Sequence, residues 1–181
     1  MEDLPSLNAS SSTPSYKKAI KKRKMPKKID RGSVVDDDTT ERLKRFITGE
    51  MYGIHMKLVI QKILYESDMS TNQNRLNLPV KQLEIHPDEF LTADEKRTVD
   101  ESKEGIEVRV VGPMLQMYEK SLWLKMWHMK HSNNYVLKKN WNNFAADNKG
   151  VLKRDTVIQV WSFRKDRQLC FAIVPVNDAA S

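Results

Sequence analysis

The run Asn134-Tyr135-Val136-Leu137-Lys138-Lys139-Asn140-Trp141-Asn142-Asn143-Phe144 and its continuation Gly150-Val151-Leu152-Lys153-Arg154-Asp155-Thr156-Val157-Ile158 decide the fold. Together they read as strand, short helix, turn, strand. Asn140 is a suitable N-cap, its side-chain oxygen able to accept from an orphan backbone N–H of the first turn. Trp141, Phe144 and Ala145 fall at helical spacing on one face. Asn148 and Gly150 supply the stop, and Thr156 to Phe163 resumes in β-favouring residues. A helix of about two turns is not stable alone. Its large aromatic pair must therefore plug an apolar opening, and the mouth of a small β-barrel is such an opening.

Outward from this block the chain stays β-like. Ile106-Glu107-Val108-Arg109-Val110 alternates, placing Ile106, Val108 and Val110 inward. Val157 to Phe163 and Leu169 to Val174 are apolar on both faces and must be covered twice, by the barrel interior and by a helix or second sheet. Leu78-Pro79-Val80-Lys81-Gln82-Leu83 predicts a short helix with proline in its first turn, ended by Pro87. Thr92-Ala93-Asp94-Glu95 fits a capping box and predicts an extra short helix before the Ile106 strand. Upstream, Leu43, Ile47 and Met51, with Phe46, form an i, i+3, i+4, i+8 stripe between Thr40 and Gly53. That stripe predicts an amphipathic helix that packs on the domain, or less simply docks a partner.

The first 39 residues read as a disordered tail, low in apolar surface around Ser10-Ser11-Ser12-Thr13-Pro14-Ser15. Residues 17–28 hold eight basic residues in twelve. Their compact block Lys21-Lys22-Arg23-Lys24 suits nuclear import through a receptor, or a non-specific nucleic-acid arm; the plainer alternative is a solubilising tail. The whole chain of 181 residues carries 31 basic and 24 acidic residues, a net +7. Nine basic and six acidic residues fall in residues 1–40, so 22 and 18 remain and the folded part is itself basic. A basic domain suits a polyanionic partner. The single Cys170 excludes an intrachain disulfide and sits in an apolar run, as a buried packing residue would. No apolar run reaches membrane-spanning length and no signal-peptide core is present, so a soluble intracellular protein is expected, with no membrane partner.

The ordered pieces resemble the plant-specific B3 DNA-binding domain, a pseudobarrel of transcription factors. The likeness lies in the Tyr-Val-Leu strand, the Trp-containing helix and the Gly150-Val151-Leu152-Lys153 turn. It extends to Lys57-Leu58-Val59-Ile60-Gln61-Lys62-Ile63-Leu64, Ser67-Asp68 and Arg75-Leu76-Asn77-Leu78-Pro79, and covers roughly residues 57 to 175. The Leu-Val-Ile-Gln-Lys opening and the divergent middle point to a divergent subfamily, with a longer connection after the first helix. The resemblance implies a mainly β fold, an open barrel of about seven strands with two short capping helices. The expected organisation is a tail over 1–39, a helix and linker over 40–56, the barrel over 57–176 and a short tail over 177–181.

It further implies double-stranded DNA as partner, in the nucleus, with other transcription regulators alongside. In the family, the loop between first strand and first helix enters the major groove. Here that loop carries Asn72, Gln73, Asn74 and Arg75, residue types able to make bidentate bonds to adenine or guanine. Lys81 matches a basic position near phosphate. A second arm is the hairpin around Lys125, Trp127, His128, Lys130, Ser132 and Asn133, whose turn reads as about two residues longer than the usual pattern. Lys125 and Lys130 stand where several relatives use arginine, and lysine cannot reproduce the planar fork, which lowers the expected specificity more than binding.

Without the resemblance both arms read as ordinary polar turns. Catalytic groups, metal ligands, a small-molecule substrate and a cofactor are not expected: His128 and His131 are three apart without a third ligand, and six glycines form no phosphate-binding loop. The rival reading is a protein-interaction adaptor of the same fold, using the Leu43–Met51 stripe and the hairpin as contact surfaces. A DNA reader should join Arg75, Lys81, Lys125 and Lys130 in one positive surface; an adaptor should show an apolar patch there.

Overall fold

The computed structural model of the chain describes residues 37–176. The Lys21–Lys24 block, with the tail up to residue 36, and residues 177–181 lie outside the described residues. Seven strands form the body: β1 Ile54–Ile63, β2 Arg75–Pro79, β3 Ile106–Val111, β4 Leu122–Met129, β5 Ser132–Lys138, β6 Val157–Lys165 and β7 Gln168–Pro175. They lie in one sheet in the order β1-β6-β7-β3-β4-β5-β2. All neighbours are antiparallel except β3 and β7, which run parallel. Register shifts in β1 between Ile54 and Lys57 and between Leu58 and Ile60 bend that strand. The curled sheet encloses a core that includes Val59, Leu76, Val108, Leu137, Val160 and Phe171, and its ends β1 and β2 stay unpaired. The fold is mainly β, an open seven-stranded barrel, as the sequence implies.

Helix α1, Asp37–Arg45, runs on as a π-turn over Phe46–Glu50. It opens at Asp37, three residues before the expected Thr40. Its apolar stripe is consumed: Leu43, Ile47 and Met51 are buried with Phe46 against Val111, Phe163, Cys170, Ala172 and Val174. This is the second cover that β6 and β7 require. At Gly53 an added Cβ would lie 2.7 Å from the Ile47 side chain and 2.9 Å from Phe163, so only glycine lets the chain turn into β1 this closely.

Two local expectations are corrected. Leu78 and Pro79 do not start a helix; they end β2, and only a single 3-10 turn, Val80–Gln82, follows. Leu76 and Leu78 alternate into the core and pair with Leu137 and Tyr135, and that burial outweighs the helix-start preference of proline. Pro87 likewise opens another single turn, Pro87–Glu89, rather than ending a helix. Two further helices precede β3. The short α2, Glu66–Met69, forms where the sequence marks only a Ser-Asp turn. Helix α3, Ala93–Glu101, has the expected capping box: Glu95 N–H donates to Thr92 Oγ1 at 3.1 Å and Thr92 N–H to Glu95 Oε1 at 2.8 Å.

Helix α4, Trp141–Asp147, is the barrel plug, with Trp141, Phe144 and Ala145 buried. Its cap is not the one expected. Lys139 and Asn140 both have positive φ, 56° and 41°, and with this left-handed backbone Asn140 Oδ1 accepts from the Asn143 side chain at 3.2 Å rather than from a backbone N–H of the first turn. Asn140 Nδ2 instead donates to Ser121 O at 2.8 Å. The cap comes from elsewhere in the chain: Asn74 Oδ1 accepts from the Asn142 N–H at 2.9 Å.

Trp141 is fully buried and its Nε1–H donates to Asp68 O at 2.7 Å. Its ring lies 5.7 Å from Phe144, which meets Tyr118 edge-on at 5.2 Å. Trp141→Ala is expected to cost about 3–5 kcal/mol of unfolding free energy in urea titrations. Trp141→Phe keeps much of the ring volume and should lose about 1–3 kcal/mol by leaving the Asp68 carbonyl unpaired. A melting curve for Trp141→Ala within a few degrees of the parent's would rule out the plug.

Candidate nucleic-acid interface

The first arm is built on a buried charge pair at the open seam. Lys62, on β1, is 2% exposed, and Asp68, in α2, is fully buried. Lys62 Nζ donates to Asp68 Oδ2 at 2.7 Å and to Asn77 O at 2.7 Å. Asp68 Oδ1 accepts from the Asn77 N–H at 3.1 Å, and Oδ2 accepts from the Tyr65 N–H at 2.9 Å. Both outward backbone groups of Asn77 on edge strand β2 are thereby satisfied by side chains from the β1 side. Burial holds the Lys62 ammonium below the ordinary lysine value, with the Asp68 carboxylate working against that shift.

Between α2 and β2 the chain turns through Thr71, Asn72 and Gln73, all exposed. Asn74 has φ 44°, a conformation asparagine tolerates better than most residues. Its side chain caps α4, as described, and Asn142 Nδ2 donates to Thr71 O at 2.7 Å. Arg75 is pinned as well: its guanidinium lies 3.5 Å from Asp68 Oδ1 and 5.9 Å from the centre of the Trp127 ring. So within Asn72–Arg75 the first two side chains project freely and the last two hold the loop in place. Lys81 is exposed just beyond β2.

The second arm is the β4–β5 ribbon. Pairing continues to Met129↔Ser132, so Lys130-His131 is a two-residue turn. Of the stretch between Trp127 and Tyr135 that was expected to form a longer turn, only these two residues turn and the rest is strand. Lys130, His131 and Asn133 are exposed at its end and Ser132 partly so, while Trp127 lies half-buried under Arg75. Lys125 is turned onto the end of α3. Its Nζ donates to Val99 O at 3.1 Å and Asp100 O at 2.8 Å, closing the C-terminal end of α3. Asp100 also meets the His128 ring, whose other nitrogen lies 3.1 Å from Asn133 Oδ1. The Asp100 carboxylate, followed by Asn133, raises the His128 imidazole above its ordinary value. At Gly105, φ +81°, an added Cβ would sit 2.0 Å from Leu124 O, which presses the α3–β3 connection onto β4.

Four cations were expected to share one surface. Lys81 and Lys130 are exposed, whereas Arg75 and Lys125 are held by Asp68, Trp127 and the end of α3. The apolar stripe Leu43–Met51 is buried, which withdraws one of the two surfaces the adaptor reading would use and leaves it the hairpin. Lys62, Asp68, Asn77 and Asp100 are the residues that sequence reading left out. The signal for Asp68 was present, in a Ser-Asp pair next to the β1 lysines, but nothing local marks Lys62 as buried. Arg154, 3.8 Å from Glu66, and the Asp155 N–H, 2.8 Å from Leu64 O, bring a further basic loop beside the first arm. Among the described residues no cluster of three or more His, Cys, Asp or Glu could hold a metal ion, and no helix is long and apolar enough to cross a membrane.

A family model described as B3 domain-containing protein At2g31720-like matches residues 35–177. The chain is 34% identical over 167 residues to the putative B3 domain-containing protein At2g27410 of Arabidopsis thaliana, covering 89% of this chain and 63% of that protein. It is 37% identical over 130 residues to the B3 domain-containing protein At2g32645 of the same plant, covering 68% of this chain and 67% of that one. The chain thus spans about two thirds of the length of these relatives. Among solved structures, the Arabidopsis FUS3–DNA complex is similar at a TM-score of 0.43 and 21% identity, covering 68% of this chain and 100% of that one.

Asp68→Ala is expected to destabilise the domain by about 3–5 kcal/mol, because it strands a buried ammonium. Adding Lys62→Met should recover part of that loss, since both charges are then gone. Chemical denaturation of the two single variants and the double variant measures the coupling; strictly additive losses would mean that the two side chains do not act as a pair.

Proposed function

The chain belongs to the B3 domain family, and from that premise we propose that its described domain binds double-stranded DNA in the nucleus as a transcriptional regulator. A domain of this family is not an enzyme, and none of the chemistry above asks for a reacting group. The observation that carries the reading is the placement of the arms. The first arm joins β2 at Arg75 and the second flanks its other end, where Pro79 pairs with Asn134. Four residue steps of about 3.3 Å separate those points by about 13 Å. The major groove is about 12 Å wide. That spacing supports a reading in which both tips enter one groove.

In this mechanism Lys81 and Lys130 set the register on phosphates, and Asn72, Gln73 and Asn133, with Ser132, face base edges. Asn74, Arg75, Trp127 and Lys125 orient the arms; for Lys125 this replaces the direct contact that the sequence suggests. His128 stands between the two roles. No cofactor enters the mechanism. The Lys21–Lys24 block serves an import receptor, and a tail-deleted fusion above the passive pore limit should then fail to accumulate in nuclei.

Random-duplex selection with the full chain tests the assignment. Asn72→Ala or Gln73→Ala should lower discrimination between selected and scrambled duplexes by about 1–3 kcal/mol. Lys81→Ala or Lys130→Ala should weaken both duplexes about equally and reduce the salt slope by roughly one charge each. A wild-type chain that prefers no duplex even at low salt would return the reading to the adaptor.

A further inference from the structure

The end of α3 carries an acidic residue where the helix dipole disfavours one. Asp100 lies in its last turn, close to the negative end of the helix. Lys125 occupies the same end by donating to Val99 O and Asp100 O, which fixes α3 on β4. The Asp100 carboxylate is thereby aimed at the second arm, where its Oδ1 meets His128 Nε2. The other ring nitrogen, Nδ1, lies 3.1 Å from Asn133 Oδ1.

Both partners of the ring are oxygen atoms. Two oxygen acceptors require two N–H donors, which only the imidazolium supplies. In that state Asn133 turns its Oδ1 to the ring and leaves its NH2 group outward at the exposed tip. In the neutral ring, with Nε2–H kept on Asp100, Nδ1 becomes a bare acceptor. The Asn133 amide must then turn over, donating Nδ2–H to the ring and showing Oδ1 outward. The charged groups facing the ring are Asp100 from α3 and Lys125 from β4 itself; β5 offers the neutral Asn133. Asp100 outweighs the opposing Lys125, and the protonated state is favoured.

We propose that Asp100 and His128 are positioning residues of the second arm, and that one proton on the imidazole sets whether Asn133 shows a donor or an acceptor to a base edge. The proposal rests on the DNA-binding reading above. A donor facing outward fits guanine O6/N7 or thymine O4; an acceptor fits adenine N6 or cytosine N4. The second arm would therefore change its preferred base with pH while its fold stays constant.

The experiment uses the full chain in two measurements. In the unbound protein, 15N NMR of the His128 ring should show both nitrogens protonated at about pH 6. Asp100→Asn should lower its titration midpoint. Duplex selection at about pH 6 and about pH 9 should then show wild type changing its preference at one base position by roughly fivefold or more. Asp100→Asn at the lower pH should resemble wild type at the higher one, and Asn133→Ala should lose the preference at both. A ring with unprotonated Nδ1 at the lower pH, or a wild-type preference that ignores pH, overturns the proposal while DNA binding stands. A wild type that binds no duplex removes the DNA-binding reading and this proposal with it.

Discussion

An open barrel has two sheet edges, and how they are held together governs the rest of this domain. β1 and β2 do not pair, so the N–H and C=O of Asn77 that point away from β5 would face each other's vacancy. Lys62 and Asp68 fill that role with side chains, one donating to Asn77 O and the other accepting from its N–H. Taking two charges out of water costs several kcal/mol per ion. Here the carboxylate accepts from Lys62, Tyr65 and Asn77, with Arg75 close by, and the ammonium has two oxygen partners. A further link to β1, Glu84 N–H to Val59 O at 2.8 Å, comes from the segment after β2. The charge pair therefore sets the position of one strand relative to another where ladder hydrogen bonds cannot.

The same aspartate carries that order into the first arm. Its carbonyl accepts from Trp141, so the plug helix is tied to α2 through a side chain buried from solvent. Asn74 then returns the connection by capping α4 from the arm. Arm and plug hold each other: the loop has its conformation because the helix needs a cap, and the helix starts where it does because the loop supplies one. This reciprocity makes the root of the arm rigid without regular secondary structure. The second arm reaches the same result differently, through a continuous β-ribbon braced by the end of α3.

Much of this architecture is legible in the sequence because it follows from periodicity. The Trp141/Phe144 face, the double-sided apolar runs of β6 and β7, the Thr92–Glu95 capping box and the alternation of β3 all depend on residues close together in the chain. What escaped reading depends on partners far apart. Asn140 resembles an N-cap by type, but a left-handed turn removed it, and the oxygen that replaced it comes from Asn74. Lys62 looks like one more solvent-facing lysine of a basic strand until Asp68 and Asn77 are placed beside it. Proline at position 79 signals a helix start, yet the burial of Leu76 and Leu78 kept the segment extended. In the candidate interface, the loop before β2 and the β4–β5 hairpin were legible, but the division within each between residues that hold and residues that reach was not.

That division matches what the proposed base reading demands. A hydrogen bond to a base edge discriminates only if the donor or acceptor arrives at a defined angle, and each side chain frozen on binding costs about 0.5–1.5 kcal/mol. Lysine heads on flexible stems, such as Lys81 and Lys130, tolerate that freedom because a phosphate accepts a point charge from many directions. Asparagine and glutamine amides do not. They need a root that is already ordered in the unbound protein. Spending Arg75 and Lys125 on internal contacts removes two cations from the outer surface, which weakens non-specific attraction, but it fixes the backbone from which Asn72, Gln73 and Asn133 project. Under the proposed DNA-binding role, recognition then depends on how firmly a few neutral amides are held.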